Sequence, residues 1–214
     1  AAAGRAARMA ALAEFDAKYA TAVTEVQYCM QRVSTWFTRA KTEDVADFEI
    51  SLSTEIANEM IANVFRSQRL RVRLDIPAPI SIRGRALTPL SNIFFNLFDN
   101  CRKYGRRNFG PYDVSISARL EGDLLKIETS NPIPPVPSVA FANSELSILK
   151  GQVANSSMIK AASLEKVAKE GRSGFHKIAK LIFYDMNASY LMNPFYTDSE
   201  FKVQFEIDYS KLRP

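Results

Sequence analysis

The sequence predicts an α/β protein, in which amphipathic helices and short β-strands share one core. Residues 90–105 (LSNIFFNLFDNCRKYG) place apolar side chains at helical spacing. Residues 113–120 and 124–128 alternate between apolar and polar side chains around a Glu-Gly-Asp turn, which predicts a β-hairpin. Residues 200–209 alternate in the same way as a last strand. With 214 residues and 47% hydrophobic content, the chain can bury one sizeable core and carry a helical appendage.

Residues 9–41 read as one long amphipathic helix with a heptad-like seam. Leu12, Tyr19, Val26 and Val33 recur every seven residues along it. We therefore predict an N-terminal helical extension over residues 1–44. The seam fits two roles equally well, pairing of two copies in a homodimer or packing on the domain that follows.

The rest of the chain, residues 45–214, is predicted to form a single domain. A second helix should begin at the acidic Thr42-Glu43-Asp44 and run to about Arg66. The later regular elements are predicted as strands 71–76 and 80–83, helix 85–104 with Pro89 near its first turn, the hairpin above, helix 173–186, and strands 190–195 and 200–209. Residues 132–172 are polar, small and irregular, so we predict a long functional or mobile lid there.

The helix at residues 90–105 has a second face that suggests chemistry. Asn92, Asn96, Asn100 and Lys103 lie three or four residues apart and therefore stack on one side. Amide oxygens can bind a hard cation such as Mg²⁺, and a lysine one turn further on can meet the phosphates that carry the cation. The pattern indicates a nucleotide site; the alternative is a polar helix face with capping amides.

Residues 96–104, NLFDNCRKY, resemble the N box of the GHKL superfamily of ATP-binding domains in its histidine-kinase form, with Cys101 in place of a small alanine. The resemblance implies a Bergerat-type fold, an α+β two-layer sandwich whose mixed sheet is covered on one face by helices. It also implies that ATP and Mg²⁺ are bound. In that reading Asn100 ligates Mg²⁺, Asn96 lies near the triphosphate, Lys103 contacts phosphate and Tyr104 flanks the nucleotide.

The other family boxes are degenerate in this sequence. Where the family has an aspartate in D-x-G-x-G that accepts the adenine amino hydrogen, the chain reads Thr129-Ser130-Asn131-Pro132. The resemblance makes Asn131 the adenine candidate and Ser130 the second; the alternative is an Asx-Pro turn that ends a strand.

In the glycine box, Gly174 matches the family's last glycine and opens a helix whose amides would hold phosphate, while Arg172 stands where another glycine is expected. Arg172 either contacts phosphate bidentately or fills the phosphate space.

The sequence lacks two groups that catalysis in this family uses, a phosphoaccepting histidine and a glutamate base. His176 is the only histidine, and we expect it to face solvent or cap its helix, so a phosphoacceptor must lie outside this chain. Asn96 occupies the position where hydrolysing family members carry a glutamate base, so fast ATP hydrolysis is not expected unless Glu128 or another acid is brought in. Three hypotheses follow: a histidine-kinase-like phosphotransferase module, a nucleotide-gated switch, or a degenerate pseudo-kinase that serves as an interaction scaffold.

Charge, cysteine content and hydrophobicity indicate which kinds of partner and location to expect. The net charge of +5 is small and scattered, and the basic residues lack interleaved exposed aromatics, so we expect no nucleic-acid partner. Cys29 and Cys101 both lie in apolar helical patterns, which favours a reducing compartment and a cytoplasmic location. No apolar run reaches membrane-spanning length, so we expect no membrane segment in this chain.

Overall fold

The computed structural model describes residues 45–65, 70–105, 112–158 and 174–214, together with Asp16, Lys18, Tyr19, Val23, Thr24 and Gln27. The chain divides into two compact units, Ala1–Glu43 and Asp44–Pro214. The six described residues of the first unit are helical. The predicted heptad seam otherwise lies outside the described residues, and its role stays a prediction.

The second unit is built on a five-stranded mixed sheet with the order β2-β4-β5-β7-β6. The strands are β1 (Phe48–Glu49), β2 (Leu70–Asp75), β3 (Ser81–Ile82), β4 (Tyr112–Glu121), β5 (Leu124–Pro132), β6 (Tyr190–Tyr196) and β7 (Glu200–Asp208). Strands β2 and β4 are parallel and the other neighbours are antiparallel. The β4–β5 hairpin turns at Gly122, whose φ of 60° suits glycine. This hairpin confirms the sequence prediction.

Helices cover one face of the sheet, as predicted. They are α1 (Ile50–Val64), α2 (Leu87–Tyr104), α3 (Val139–Val153) and α4 (Gly174–Lys180), the last continuing into a π-helical turn at Leu181–Asp185. Helix α2 is the crossover that a parallel β2–β4 pair requires. The predicted apolar face of α2 is buried: Ile93, Phe94, Leu97, Phe98 and Cys101.

The sheet's two faces differ because the strands alternate strictly. On β4, Val114, Ile116 and Ala118 are buried under the helices. Their neighbours point to the helix-free face, where ion pairs join strands, such as Lys126 to Glu206 at 3.4 Å. This pattern is typical of a sheet with one dry and one solvated face. The α/β two-layer architecture predicted from the sequence is therefore confirmed.

Helix α1 begins later than predicted, at Ile50 rather than near Thr42. Phe48 and Glu49 instead form β1, which pairs antiparallel with β3. The backbone N–H of Ile50 also donates to the Ile80 carbonyl. This long-range pairing outweighs the local acidic start signal.

The prediction that residues 132–172 form an irregular lid is wrong for the part that the structure describes. Residues 139–153 form α3, and its N-cap is Ser138, whose Oγ accepts from the Phe141 N–H at 3.2 Å. Residues 159–173 lie outside the described residues. Helix α3 is held along the outer edge of β6: the Asn143 side chain donates to Tyr196 O at 3.0 Å and accepts from Tyr196 N at 2.9 Å. Further along the same edge, the Met192 N–H donates to Ala154 O at 2.7 Å.

This contact closes an exposed sheet edge. The outward N–H groups of Met192 and Tyr196 are bonded to the 143–154 segment, and Pro194 between them has no N–H to donate. Unpaired edge strands invite aggregation, and a helix plus a proline removes that hazard. Residues 143–154 therefore act as an edge cover in this structure rather than as a free flap.

Candidate functional site

Helix α2 displays the predicted row of amides, each in its own environment. The Asn96 Nδ2 donates to the Asn92 carbonyl oxygen one turn back at 2.7 Å. The Asn100 side chain is half-buried and makes no hydrogen bond to the described residues. The Asn100 amide is therefore available to a ligand.

Asn100 borders a narrow recess between α2 and the sheet. The polar lining comes from Asn100, Thr129, Ser130 and Asn131. The apolar lining comes from Leu97, Cys101, Val114, Phe201 and Val203. The space enclosed is about the size of one water molecule. A planar base would enter only if these side chains moved apart.

Sheet register brings Asn131 to the recess. Strand β5 continues to Pro132, past the point where the sequence pattern ends it, because β7 pairs with it along its whole length. Asn131 lies directly opposite Phe201 in this ladder. Its Nδ2 donates to Pro132 O at 3.2 Å, and no described residue bonds to its Oδ1.

Gly174, the first residue of α4, lies against Asn100. A Cβ at Gly174 would sit 3.3 Å from Asn100 Nδ2 and 3.5 Å from Oδ1. A side chain there would crowd the amide. The structure thus brings together Asn100, Asn131 and Gly174, which come from three separate stretches of the sequence.

Lys103 is ion-paired with a carboxylate on its own helix. Asp99 Oδ2 lies 2.6 Å from Lys103 Nζ, and Asp99 Oδ1 lies 2.8 Å from Arg102 Nη2. The Arg102 guanidinium also stacks 3.8 Å from the ring centre of Phe65, which ties the ends of α1 and α2 together. The Lys103 side chain is 49% exposed, so it can leave Asp99 without disturbing the core.

Tyr104 is exposed at the end of α2, with an exposed fraction of 68%. Burial, with a smaller contribution from the neighbouring Tyr104, raises the pKa of Tyr196. The Tyr196 ring packs 4.8 Å from Phe201, and Phe175 meets Phe201 edge-on at 6.2 Å. An aromatic cluster (Phe175, Tyr196 and Phe201) therefore stands beside the recess.

Cys101 is a buried core residue. Its Sγ faces the Asp113 carbonyl oxygen at 3.8 Å. Burial, together with the Asp113 charge, raises the pKa of the thiol to about 12. A thiol held protonated in this way is a poor nucleophile.

Several residues singled out by the sequence do not reach the recess. Arg172 lies outside the described residues, so its role stays a prediction. Glu128 is on the helix-free face of the sheet, where hydrogen bonding from Gln204 and the Lys202 ammonium lower the pKa of its carboxyl. It is not near Asn100, and the suggestion that folding would bring it in as a base receives no support.

The expectation that His176 faces solvent or caps its helix is wrong. His176 is 5% exposed, because α3 packs over α4. Its Nε2 lies 3.2 Å from Gln152 Oε1 on α3. The segment expected to be a flexible lid therefore buries this histidine.

Sequence reasoning missed two residues at the site. The pairing of Asp99 with Arg102 and Lys103 follows from helical i,i+3 and i,i+4 spacing and could have been read from the sequence. Phe201 reaches the recess only through strand pairing 70 residues away, which carries no local signal.

Two other kinds of site are absent from the described parts of the chain. No group of three or more His, Cys, Asp or Glu side chains that could hold a metal was found there. None of the helices described has the length and apolar character needed to cross a bilayer.

Comparison with solved structures gives the fold. The catalytic domain of the histidine kinase ThkA matches with a TM-score of 0.50 at 12% identity, over 78% of this chain and 99% of that one. Histidine kinase AdeS of Acinetobacter baumannii matches with a TM-score of 0.48 at 11% identity, over 84% and 75%. A histidine kinase from Burkholderia phymatum matches with a TM-score of 0.45 at 12% identity, over 85% and 79%.

No protein-family model matches the chain, and no curated protein sequence does. The chain thus has the fold of a histidine-kinase catalytic domain, as the N box predicted. At such low identity the likeness concerns the fold alone.

Proposed function

We propose that this protein binds Mg·ATP at the recess, either for phosphoryl transfer to an acceptor outside this chain or for a nucleotide-dependent switch. One observation carries the proposal: Asn100, Asn131 and Gly174 meet at one place although the sequence separates them. They come from the three stretches in which the sequence resembles nucleotide-binding boxes. Convergence in space of three independent matches is hard to explain by a merely polar helix face.

The chemistry of Asn100 fits a magnesium ligand. Mg²⁺ prefers oxygen ligands and usually completes its shell with phosphate oxygens and water. The Asn100 amide has no hydrogen bond to the described residues, and Gly174 leaves room beside it. When bound, the ion would neutralise charge on the phosphates.

We expect Lys103 to exchange Asp99 for phosphate when nucleotide binds. A half-exposed ion pair within one helix contributes only about 0.3–0.5 kcal/mol. A charge-assisted hydrogen bond to phosphate is stronger than this, so the exchange costs little. Asp99 then holds the ammonium near the site while nucleotide is absent.

Transfer or switching fits better than rapid hydrolysis. The Asn96 amide cannot accept a proton from water, and Glu128 lies on the other face of the sheet. No carboxylate lines the recess among the described residues. Positioning and the metal ion can support phosphoryl transfer without a strong base.

A second candidate is a pseudo-kinase scaffold that binds no nucleotide. The water-sized recess favours it, because entry of a base requires movement of the lining side chains. In that case the aromatic cluster and α3 would only complete the core.

Isothermal titration calorimetry with ATP, with and without Mg²⁺, separates the two candidates. We expect binding that depends on Mg²⁺ and weakens at least tenfold in Asn100→Ala. Asn193→Ala is the matched control, because Asn193 is exposed on the helix-free face of β6. Absence of heat at millimolar Mg·ATP would reject nucleotide binding and favour the scaffold.

A further inference from the structure

The polar lining of the recess is neutral. Its polar residues are all uncharged: Asn100, Asn131, Thr129 and Ser130. The pKa-shifted carboxylates of β5 and its neighbours point to the opposite face of the sheet, as Glu128 does. A base in this recess would therefore be read by groups that both donate and accept hydrogen bonds.

Asn131 offers one donor and one acceptor at the same time. Its contact with Pro132 O fixes the amide orientation, because a rotated amide would set two oxygens against each other. That contact uses one of the two Nδ2 hydrogens. The second hydrogen and Oδ1 stay available, and Phe201 across the ladder supplies an aromatic surface for a base.

We infer that Asn131 makes the site accept adenine and guanine nucleotides alike, an inference that rests on the proposed function. The two purines differ at C6, where adenine carries an amino donor and guanine a carbonyl acceptor. The Asn131 Oδ1 can accept from the first, and its free Nδ2 hydrogen can donate to the second. A carboxylate at the same position could only accept, so it would suit adenine and repel guanine.

The substitution Asn131→Asp tests this assignment by creating selectivity. An acceptor facing an acceptor inside a buried site costs roughly 5- to 150-fold in affinity. We expect wild-type dissociation constants for Mg·ATP and Mg·GTP to agree within about fivefold. In Asn131→Asp the ratio should shift toward ATP by at least roughly tenfold.

Two further variants serve as controls. Asn131→Ala removes both groups without adding charge, and it should weaken both nucleotides while leaving their ratio unchanged. Asn193→Asp adds the same charge on the helix-free face and should change neither affinity nor ratio. Urea unfolding of each variant establishes that it is folded.

The outcomes distinguish this inference from the proposed function. Wild-type binding of ATP with GTP more than 100-fold weaker would overturn the inference and leave ATP binding intact. An unchanged ratio in folded Asn131→Asp would remove Asn131 as the determinant. Failure of wild type to bind either nucleotide would reject both the proposed function and the inference.

Discussion

Replacement of Gly84 by alanine should destabilise the domain, because the added methyl group has no room. Gly84 starts the 3₁₀ turn Gly84–Ala86 between β3 and α2. A Cβ on it would lie 1.6 Å from the Val45 carbonyl oxygen and 2.9 Å from that of Ala46. Both obstacles are backbone atoms, so residues 45–47 would have to move as a segment.

The size of the effect follows from three terms. Overpacking costs about 1–3 kcal/mol. Movement of residues 45–47 also breaks the bond from the Gly84 N–H to Asp47 Oδ1, at 3.1 Å, which contributes about 0.5–1.5 kcal/mol. Alanine also lowers the conformational entropy of the unfolded chain, which offsets about 0.4–1 kcal/mol of this loss in stability. The net loss is about 2–3 kcal/mol, or a fall in Tm of about 5–10 °C for a chain of this size.

Urea unfolding of Gly84→Ala and Gly151→Ala provides the assay, with the second variant as matched control. Gly151 lies in α3, and nothing stands within 4 Å of its added Cβ. Alanine there should stabilise by about 0.5–1 kcal/mol through helix propensity. The same substitution thus has opposite signs at the two positions. Gly84→Ala as stable as wild type would refute the close approach of residues 45–47 to this turn.

Two further predictions concern packing. Asn143→Ala should destabilise by about 1–2 kcal/mol, since it leaves the backbone groups of Tyr196 without their partner; limited proteolysis should then cut residues 139–153 faster than in wild type. In a Cys29→Ser background, Cys101 should resist iodoacetamide at pH 9 when folded and react when unfolded in urea. Because burial raises the pKa of the Cys101 thiol, the thiol of the unfolded chain ionises at a lower pH than that of the folded chain. The contribution of the buried thiol to stability is therefore complete below about pH 9 and is lost as the pH rises toward 12. Rapid labelling of the folded protein would contradict the burial of Cys101.

Helix α2 was predictable from sequence because the spacing of its own apolar residues shows which face is buried. Its buried positions repeat at helical spacing, and its amides occupy the other side. The β4–β5 hairpin was predictable for a similar reason: Gly122 marks the turn and the flanking alternation marks the buried face. In both cases local pattern and tertiary burial agree.

Helix α3 could not be predicted in this way. Its apolar side chains do not form one buried stripe: Phe141 is 67% exposed and Ile148 is 69% exposed. The helix is held instead by Asn143 and by backbone contacts to the edge of β6. Such contacts depend on a strand about 50 residues away in sequence. The spacing of apolar residues within the segment itself gives no sign of them. The start of α1 was misplaced for the same reason, since pairing of Phe48 with Ile82 decides it.

Strand register decides whether the side chain of Asn131 or that of Ser130 faces the recess. Sequence alone offered both Asn131 and Ser130, which are adjacent and therefore point to opposite faces of β5. The ladder pairs Asn131 with Phe201 and Ser130 with Lys202. This register turns Asn131 toward the helices, with Ile127 and Thr129, and Ser130 toward the polar face. A slip of one residue would exchange them. The buried Leu125 and Ile127 of the same strand oppose such a slip, because it would turn both toward solvent. The packing of the core thus determines which side chain would meet a base.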